Sequence, residues 1–309
     1  MMPFAEAPAR PGRATVPSFG PPVSGNGVDM NSSTTQVPQV SLRGDTAIPQ
    51  LGFGVFQVPP QDTAEVTTRA LLAGYRHIDT ATAYRNEAEV GQAVHAAGLE
   101  RADVFITTKL WNDDHGHQQA PKALDASLDR LETGYVDLYL IHWPVPSQDR
   151  YVETWQALIE AQEQGLARAI GVSNFNQPHL QRLVQETGVT PAVNQVELHP
   201  LFQQAGLRRQ HEELGIVTQA WSPLAQGQVL DDPVLSRIAE GHGKTSGQVV
   251  IRWHLQLGNV VFPKSVTPQR IEENIDVFDF RLRESEMAEI EALDAGTRIG
   301  PDPDTFVRP

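Results

Sequence analysis

The stretch VFITTKLWNDDHGHQQAPKALDASLDRLETGYVDLYLIHW, Val104–Trp143, decides how the rest of the chain is read. Its first seven residues, Val104–Leu110, are mostly apolar or β-branched, and Val136–Trp143 repeats that character. Runs of this kind suit strands covered on both faces, as in a parallel sheet. Between them, after Pro121, Leu124, Leu128 and Leu131 recur at i, i+4 and i+7, which predicts a helix with one apolar stripe. Gly134 stands where the C-terminal cap of that helix is expected. The stretch therefore reads as one βαβ unit.

The alternation continues in both directions. Leu51–Phe56, Arg76–Ala81, Ala167–Ser173, Ala192–Leu198, Ile216–Trp221 and Asn259–Pro263 bring the strand candidates to eight. Asn86 is placed to cap a helix carrying Val90 and Val94, with Gly98 ending it, and Thr267-Pro268 reads as N-cap and N1 of another. Eight β–α units in about 250 residues predict a closed α/β barrel, the (β/α)8 TIM barrel. An open doubly wound sheet for a nucleotide would show a glycine-rich first turn, and none follows Leu51–Phe56. Gly241-His242-Gly243-Lys244-Thr245 imitates a phosphate loop. It has Ile238 where that motif needs Gly, so the segment is expected only to open a helix over Gln248–Leu257. Gln39–Leu42 and Thr46–Ile48 flank Arg43-Gly44-Asp45 and predict an N-terminal β-hairpin. The last helix is expected over Glu284–Leu293.

Composition narrows the function. Of 309 residues, 38 are acidic and 24 basic, and a net charge of −14 argues against binding polyanions or anionic membranes. With no cysteine there are no disulfides, thiolate metal sites or thiol nucleophiles. No apolar run approaches the ~20 residues of a membrane span, and no signal peptide is legible. The expectation is a soluble, cytoplasmic protein. No Leu or Ile occurs before Leu42, so residues 1–36 are expected to be a disordered leader to one barrel domain, 37–309.

In such a barrel, chemistry belongs at the C-terminal ends of the strands. Asp79 ends the second strand, Tyr84 follows in its loop, Lys109 ends the third and His142 the fourth. A phenol near its ordinary pKa of ~10 is a poor acid at neutrality. An ammonium beside it, held by a carboxylate, is expected to lower that value. With His142 orienting a carbonyl oxygen, the four would protonate an oxygen on which negative charge develops. No metal is called for.

The run GYRHIDTATAYRNE (Gly74–Glu87) resembles the signature of the aldo-keto reductases, as do IGVSNF (Ile170–Phe175) and FPKSV (Phe262–Val266). The likeness spans Gln39 to Phe280. It is greatest to the bacterial 2,5-diketo-D-gluconate reductases, through TKLWND (Thr108–Asp113), VDLYLIHWP (Val136–Pro144), VNQVELHP (Val193–Pro200) and EEN (Glu272–Asn274). The resemblance implies an NADPH-dependent, monomeric carbonyl reductase with Asp79, Tyr84, Lys109 and His142 as its catalytic tetrad and Tyr84 as general acid. It implies that Ser173, Asn174 and Gln195 bind the nicotinamide carboxamide and that Trp221 stacks on the ring. Ser222, Leu224, Gln226 and Gly227 then follow the pyrophosphate, and Lys264, Ser265, Val266, Arg270, Glu273 and Asn274 the adenosine end. Two cations at one helix start also suit a 2′-phosphate on physical grounds, which favours NADP(H) over NAD(H). Phe56, Trp111, His142 and Trp143 are expected to wall the substrate pocket, left open by a short C-terminal segment.

Three rivals remain at this point. Lys109 could serve a Schiff-base aldolase if it were neutral. Asp113, Asp114, His115 and His117 have the composition of a hydrolase metal site. The barrel could also bind NADPH as an interaction or regulatory protein.

Overall fold

The computed structural model describes residues 37–307; the leader expected over 1–36 lies outside the described residues. The chain enters through a hairpin, β1 (Gln39–Ser41) and β2 (Ala47–Pro49), paired antiparallel with Val40 opposite Ile48. Eight parallel strands follow: β3 (Phe53–Gly54), β4 (His77–Asp79), β5 (Phe105–Leu110), β6 (Val136–Ile141), β7 (Ala167–Ser173), β8 (Val193–Glu197), β9 (Val217–Trp221) and β10 (Val260–Val261). They pair in sequence order, and a parallel bridge from Leu51 to Val261 joins the last strand to the first. Gly52 N–H donates to the Val261 carbonyl at 2.8 Å across that seam. The barrel is closed, in the order the alternation predicted.

The helices α1 (Pro60–Leu72), α2 (Glu87–Ala96), α3 (Ala120–Leu131), α4 (Tyr151–Glu163), α5 (Gln177–Thr187) and α6 (Ala205–Leu214) each follow one strand. Then α7 (Pro233–His242) and α8 (Ser246–Gln256) share one crossover, and α9 (Pro268–Ile275) and α10 (Glu284–Glu291) finish the ring. Every residue of β5 and β6 is buried, as strands between a filled interior and a helical jacket must be. Outward residues such as Ile106, Leu110, Tyr139 and Ile141 join the helices in the main core, while inward Leu138, Leu140, Ala169, Val193 and Val260 pack with Leu42 and Ile48 of the hairpin segment. The hairpin thus plugs one end of the barrel and leaves the other for chemistry.

Local details refine the sequence reading. The helix after Pro121 ends at Leu131 with Glu132 in the left-handed region (φ 52°), so Gly134 is not its cap. Asn86 occupies the N-cap of α2, but its side chain does not cap. It receives the Thr80 hydroxyl (2.9 Å) and donates to the Val55 carbonyl (3.0 Å), because those buried groups have no water to use instead. The false phosphate loop ends α7, and Thr245 and Gln248 form the capping box that opens α8.

Gly91 shows how tightly α2 seats on α3: a Cβ there would stand 2.6 Å from the Leu131 carbonyl oxygen. Gly241 in α7 faces open space. Gly241→Ala should therefore stabilise the protein by about 0.5–1 kcal/mol. Gly91→Ala should destabilise it by about 2 kcal/mol, since the backbone must shift. Chemical denaturation of the two variants checks the opposite signs.

Candidate active site

Alternation along the strands sets the site. Successive side chains point to opposite faces of a sheet, and Asp79, Lys109, Ser173, Gln195, Gln219 and Trp221 all fall on the inward phase at or near the open end. Lys109 is fully buried, and Asp79 almost so. The ammonium donates to Asp79 Oδ2 (2.8 Å), to the Thr80 carbonyl (2.8 Å) and to the Tyr84 hydroxyl (3.2 Å). Those three acceptors use its three N–H bonds. On the far side, Gln195 Nε2 donates to Asp79 Oδ1 (2.8 Å) and to Gln219 Oε1 (3.0 Å), a strut from β4 to β8 and β9 through the barrel interior.

Burial governs the protonation states. It pushes Asp79 up and Lys109 down, and the attraction of each for the other opposes both shifts. Tyr84 behaves contrary to the sequence expectation. Burial, followed by the Asp79 charge, raises its pKa well above the ordinary phenol value. The ammonium does not offset these, so the group is held as the protonated phenol. His142 is held well below its ordinary value, first by burial and then by Lys109, so its ring is neutral. Tyr84 and His142 meet edge to face with centroids 5.8 Å apart.

The arrangement can hold a neutral phenol against a fixed positive charge and offer an imidazole beside it. An ammonium with all three protons engaged, one by a carboxylate, is no amine nucleophile, which removes the basis for an imine at Lys109. The loop Asp113–His117 does not gather ligands either. His117 turns to Glu160 (2.8 Å), His115 is buried, and among the described residues no group of three His, Asp or Glu could hold a metal.

Aromatic rings surround the four. Phe56, half exposed, lies 5.0 Å from the Tyr84 ring, and Trp111 meets His142 at 5.1 Å. Trp143 is buried, because Phe306 tilts over it at 4.3 Å. Phe306 was not legible in the sequence: the short C-terminal segment does not leave the mouth bare but returns across it. Glu197, buried at the end of β8, holds that segment by accepting from Ile299 N–H (2.5 Å) and Gly300 N–H (3.0 Å). Gly300 is required there, since a Cβ would collide with the Trp221 indole. Asp304 fastens the far end to Asn176 at 2.8 Å.

A second polar group adjoins the strut. Ser173 donates to the Gln195 carbonyl (2.9 Å), Asn174 to the His142 carbonyl (3.0 Å), and Trp221 Nε1 to Asn174 Oδ1 (2.8 Å). Asn174, Ser222, Ala225 and Gln226 all adopt left-handed backbone (φ 49–64°), and Gly227 has φ 93°. Such conformations in non-glycine residues concentrate at functional sites. Leu224 sits half-buried between them. At the start of α9, Ser265 is buried with its hydroxyl accepting from Thr267 N–H at 3.0 Å. Lys264, Val266 and Arg270 are exposed, and neither cation makes an ion pair among the described residues. Asn274 is buried and Glu273 half-buried on the same helix.

Residues 50–295 match the profile of the aldo/keto reductase family. The chain is 55% identical over 269 residues to an aldo-keto reductase of Mycolicibacterium smegmatis, covering 87% of this chain and 98% of that one. It is 53% identical over 269 residues to the methylglyoxal reductase DkgA of Escherichia coli, covering 86% and 97% respectively. Among solved structures, a variant of Gox0644 in complex with NADPH superposes with a TM-score of 0.85 at 47% identity, covering 88% of this chain and 99% of that one. A closed barrel with these residues at its open end, matched over nearly its whole length by such relatives, belongs to the aldo/keto reductase family.

Proposed function

We propose that this chain reduces the carbonyl of small aldehydes and ketones with NADPH, using Tyr84 as proton donor. The observation that carries the reading is the Tyr84 hydroxyl 3.2 Å from a buried ammonium that Asp79 and Thr80 hold in place. NADPH, when bound, supplies the hydride that adds to the carbonyl carbon. The residues present fit it. Ser173, Asn174 and Gln195 offer amide and hydroxyl groups beside the indole of Trp221. Ser222, Gln226 and Gly227, all in left-handed backbone, follow with Leu224 as the stretch for the pyrophosphate. Lys264 and Arg270, which make no ion pair among the described residues, suit a 2′-phosphate, with Ser265, Val266, Glu273 and Asn274 around the adenosine.

The proton is the protein's contribution. Tyr84 stays a phenol in the ground state and releases its proton only as negative charge builds on the substrate oxygen. Lys109 already donates to the phenol oxygen, so that hydrogen bond strengthens as the phenolate forms. His142, neutral, can donate an N–H to the same substrate oxygen without competing as an acid. Phe56, Trp111, Trp143 and Phe306 give the carbonyl group an apolar approach. The likeness to the methylglyoxal reductase DkgA supports small dicarbonyl and keto substrates of the methylglyoxal or diketo-gluconate kind.

Tyr84→Phe should lower kcat for carbonyl reduction by roughly a thousandfold while NADPH binding, followed by fluorescence titration, stays intact. Near-wild-type turnover would remove Tyr84 from the chemistry. Arg270→Ala should weaken NADPH by about tenfold or more and leave NADH affinity nearly unchanged. Equal losses for the two dinucleotides would refute the phosphate assignment.

A further inference from the structure

We propose that Glu87 is a positioning residue for the proton donor: from behind the barrel wall it ties the Tyr84 turn to the strand carrying Lys109 and lends the site a second negative charge. Tyr84 ends a three-residue 3-10 turn, Thr82–Tyr84, followed by Arg85 in the left-handed region. So short a turn has too few hydrogen bonds to fix a side chain by itself. Its rigidity must come from its ends. The front end is Thr80, whose carbonyl takes Lys109 and whose hydroxyl donates to Asn86. The back end is Glu87.

Glu87 is 1% exposed. Its Oε1 accepts from the Thr108 hydroxyl at 2.6 Å, and its Oε2 takes Arg130 through Nε (2.8 Å) and Nη2 (2.6 Å). Arg130 also donates to Ser127 Oγ (3.1 Å), which lies 3.2 Å from Thr82 Oγ1. Thr82 and Glu87 bracket Tyr84, so the chain of contacts closes a ring around the proton donor. Thr108 and Lys109 are neighbours on β5 facing opposite ways, which places Glu87 and Asp79 on the two sides of one strand. Glu87 acts in the same sense as Asp79 in favouring the charged form of Lys109.

A carboxylate taken out of water to meet the half-exposed Arg130 is a poor device for stability alone, because its desolvation consumes most of what the attraction returns. Apolar packing between α2, α3 and β5 would serve that end as well. A carboxylate here instead fixes the turn by directional bonds and adds charge within reach of the ammonium. Arg130 on α3 pairs with Glu87, and Lys109 on β5 and Tyr139 on β6 feel its charge, Tyr139 together with those of Arg130, Asp114 and Asp125. Reduction requires the protonated phenol beside the ammonium. Removing a negative charge favours deprotonation, so the alkaline limb of the rate must move to lower pH.

This inference rests on Tyr84 being the proton donor, and the test separates the two. The Tyr84→Phe control must lower kcat by roughly a thousandfold; if turnover stays near wild type, the earlier reading fails, whatever Glu87 does. Given that control, Glu87→Gln should lower kcat by about tenfold, since small misplacement of a reacting group is costly. It should move the alkaline limb of the kcat profile down by about one pH unit. The NADPH dissociation constant should stay within about twofold, as no contact at the cofactor edge changes. Glu87→Asp, which keeps the charge, should keep the limb. An unmoved limb in Glu87→Gln, or a loss of NADPH affinity matching the loss of kcat, would overturn the proposal and leave Glu87 merely structural. If Glu87→Gln does not fold, Thr108→Val cuts the same tie from the strand side, and a wild-type kcat there would overturn it equally.

Discussion

Everything at the mouth of this barrel is arranged around one ammonium taken out of water. Burying an unpaired charge would cost several kcal/mol or more, so Lys109 can exist in the wall only if each of its protons has an acceptor. Asp79, the Thr80 carbonyl and Tyr84 are those acceptors, and each then needs support of its own. Asp79 is steadied by Gln195 from the opposite side of the barrel, and Gln195 by Gln219. Thr80 is steadied by Asn86, and Asn86 by the Val55 carbonyl beyond β3. The polar chain spreads until it has crossed the interior and reached the next loop. This is why the strand ends carry hydrogen-bonding residues where the rest of the interior carries Leu, Val and Ala.

Much of this was legible in the sequence for a simple reason. A strand alternates its side chains with a period of two, so a polar residue at the end of an apolar run declares which face it shares with its neighbours. Asp79, Lys109 and His142 could be placed on one rim from that alone, and the alternation of strands with helical spacing fixed their order. What could not be read was whatever depends on partners distant in sequence. Asn86 looks like a helix cap by position, yet its amide is claimed by backbone carbonyls some 30 residues earlier. The Tyr84 pKa was assigned from one visible neighbour, whereas burial, invisible in a linear chain, decides its direction. Phe306 stands more than 160 residues from Trp143, with no pattern to announce that it returns.

The two layers of the barrel divide the work. The inner face of β5 carries the charge that meets the phenol, and its outer face carries Thr108 against the helical jacket. The strand between them is a rigid partition rather than a spacer. The hairpin segment packs Leu42 and Ile48 against inward Leu138, Leu140, Ala169, Val193 and Val260 at the opposite end. A packed floor, a strutted wall and a tail folded over Trp143 surround Tyr84, Lys109 and His142.

The ammonium that the site immobilises has one more consequence, for the survival of the protein itself. Aldehydes and dicarbonyls condense with free amines and add to thiols. The chain has no cysteine and four lysines, Lys109, Lys122, Lys244 and Lys264. Lys109 is sealed among three acceptors, and Lys244 is clasped by Asp276 and Asp279. Basic charge is supplied elsewhere by arginine, whose guanidinium stays protonated at any physiological pH. An ammonium sealed in this way is protected from condensing with carbonyl compounds, whereas the exposed amines of Lys122 and Lys264, and the arginines toward dicarbonyls, are not.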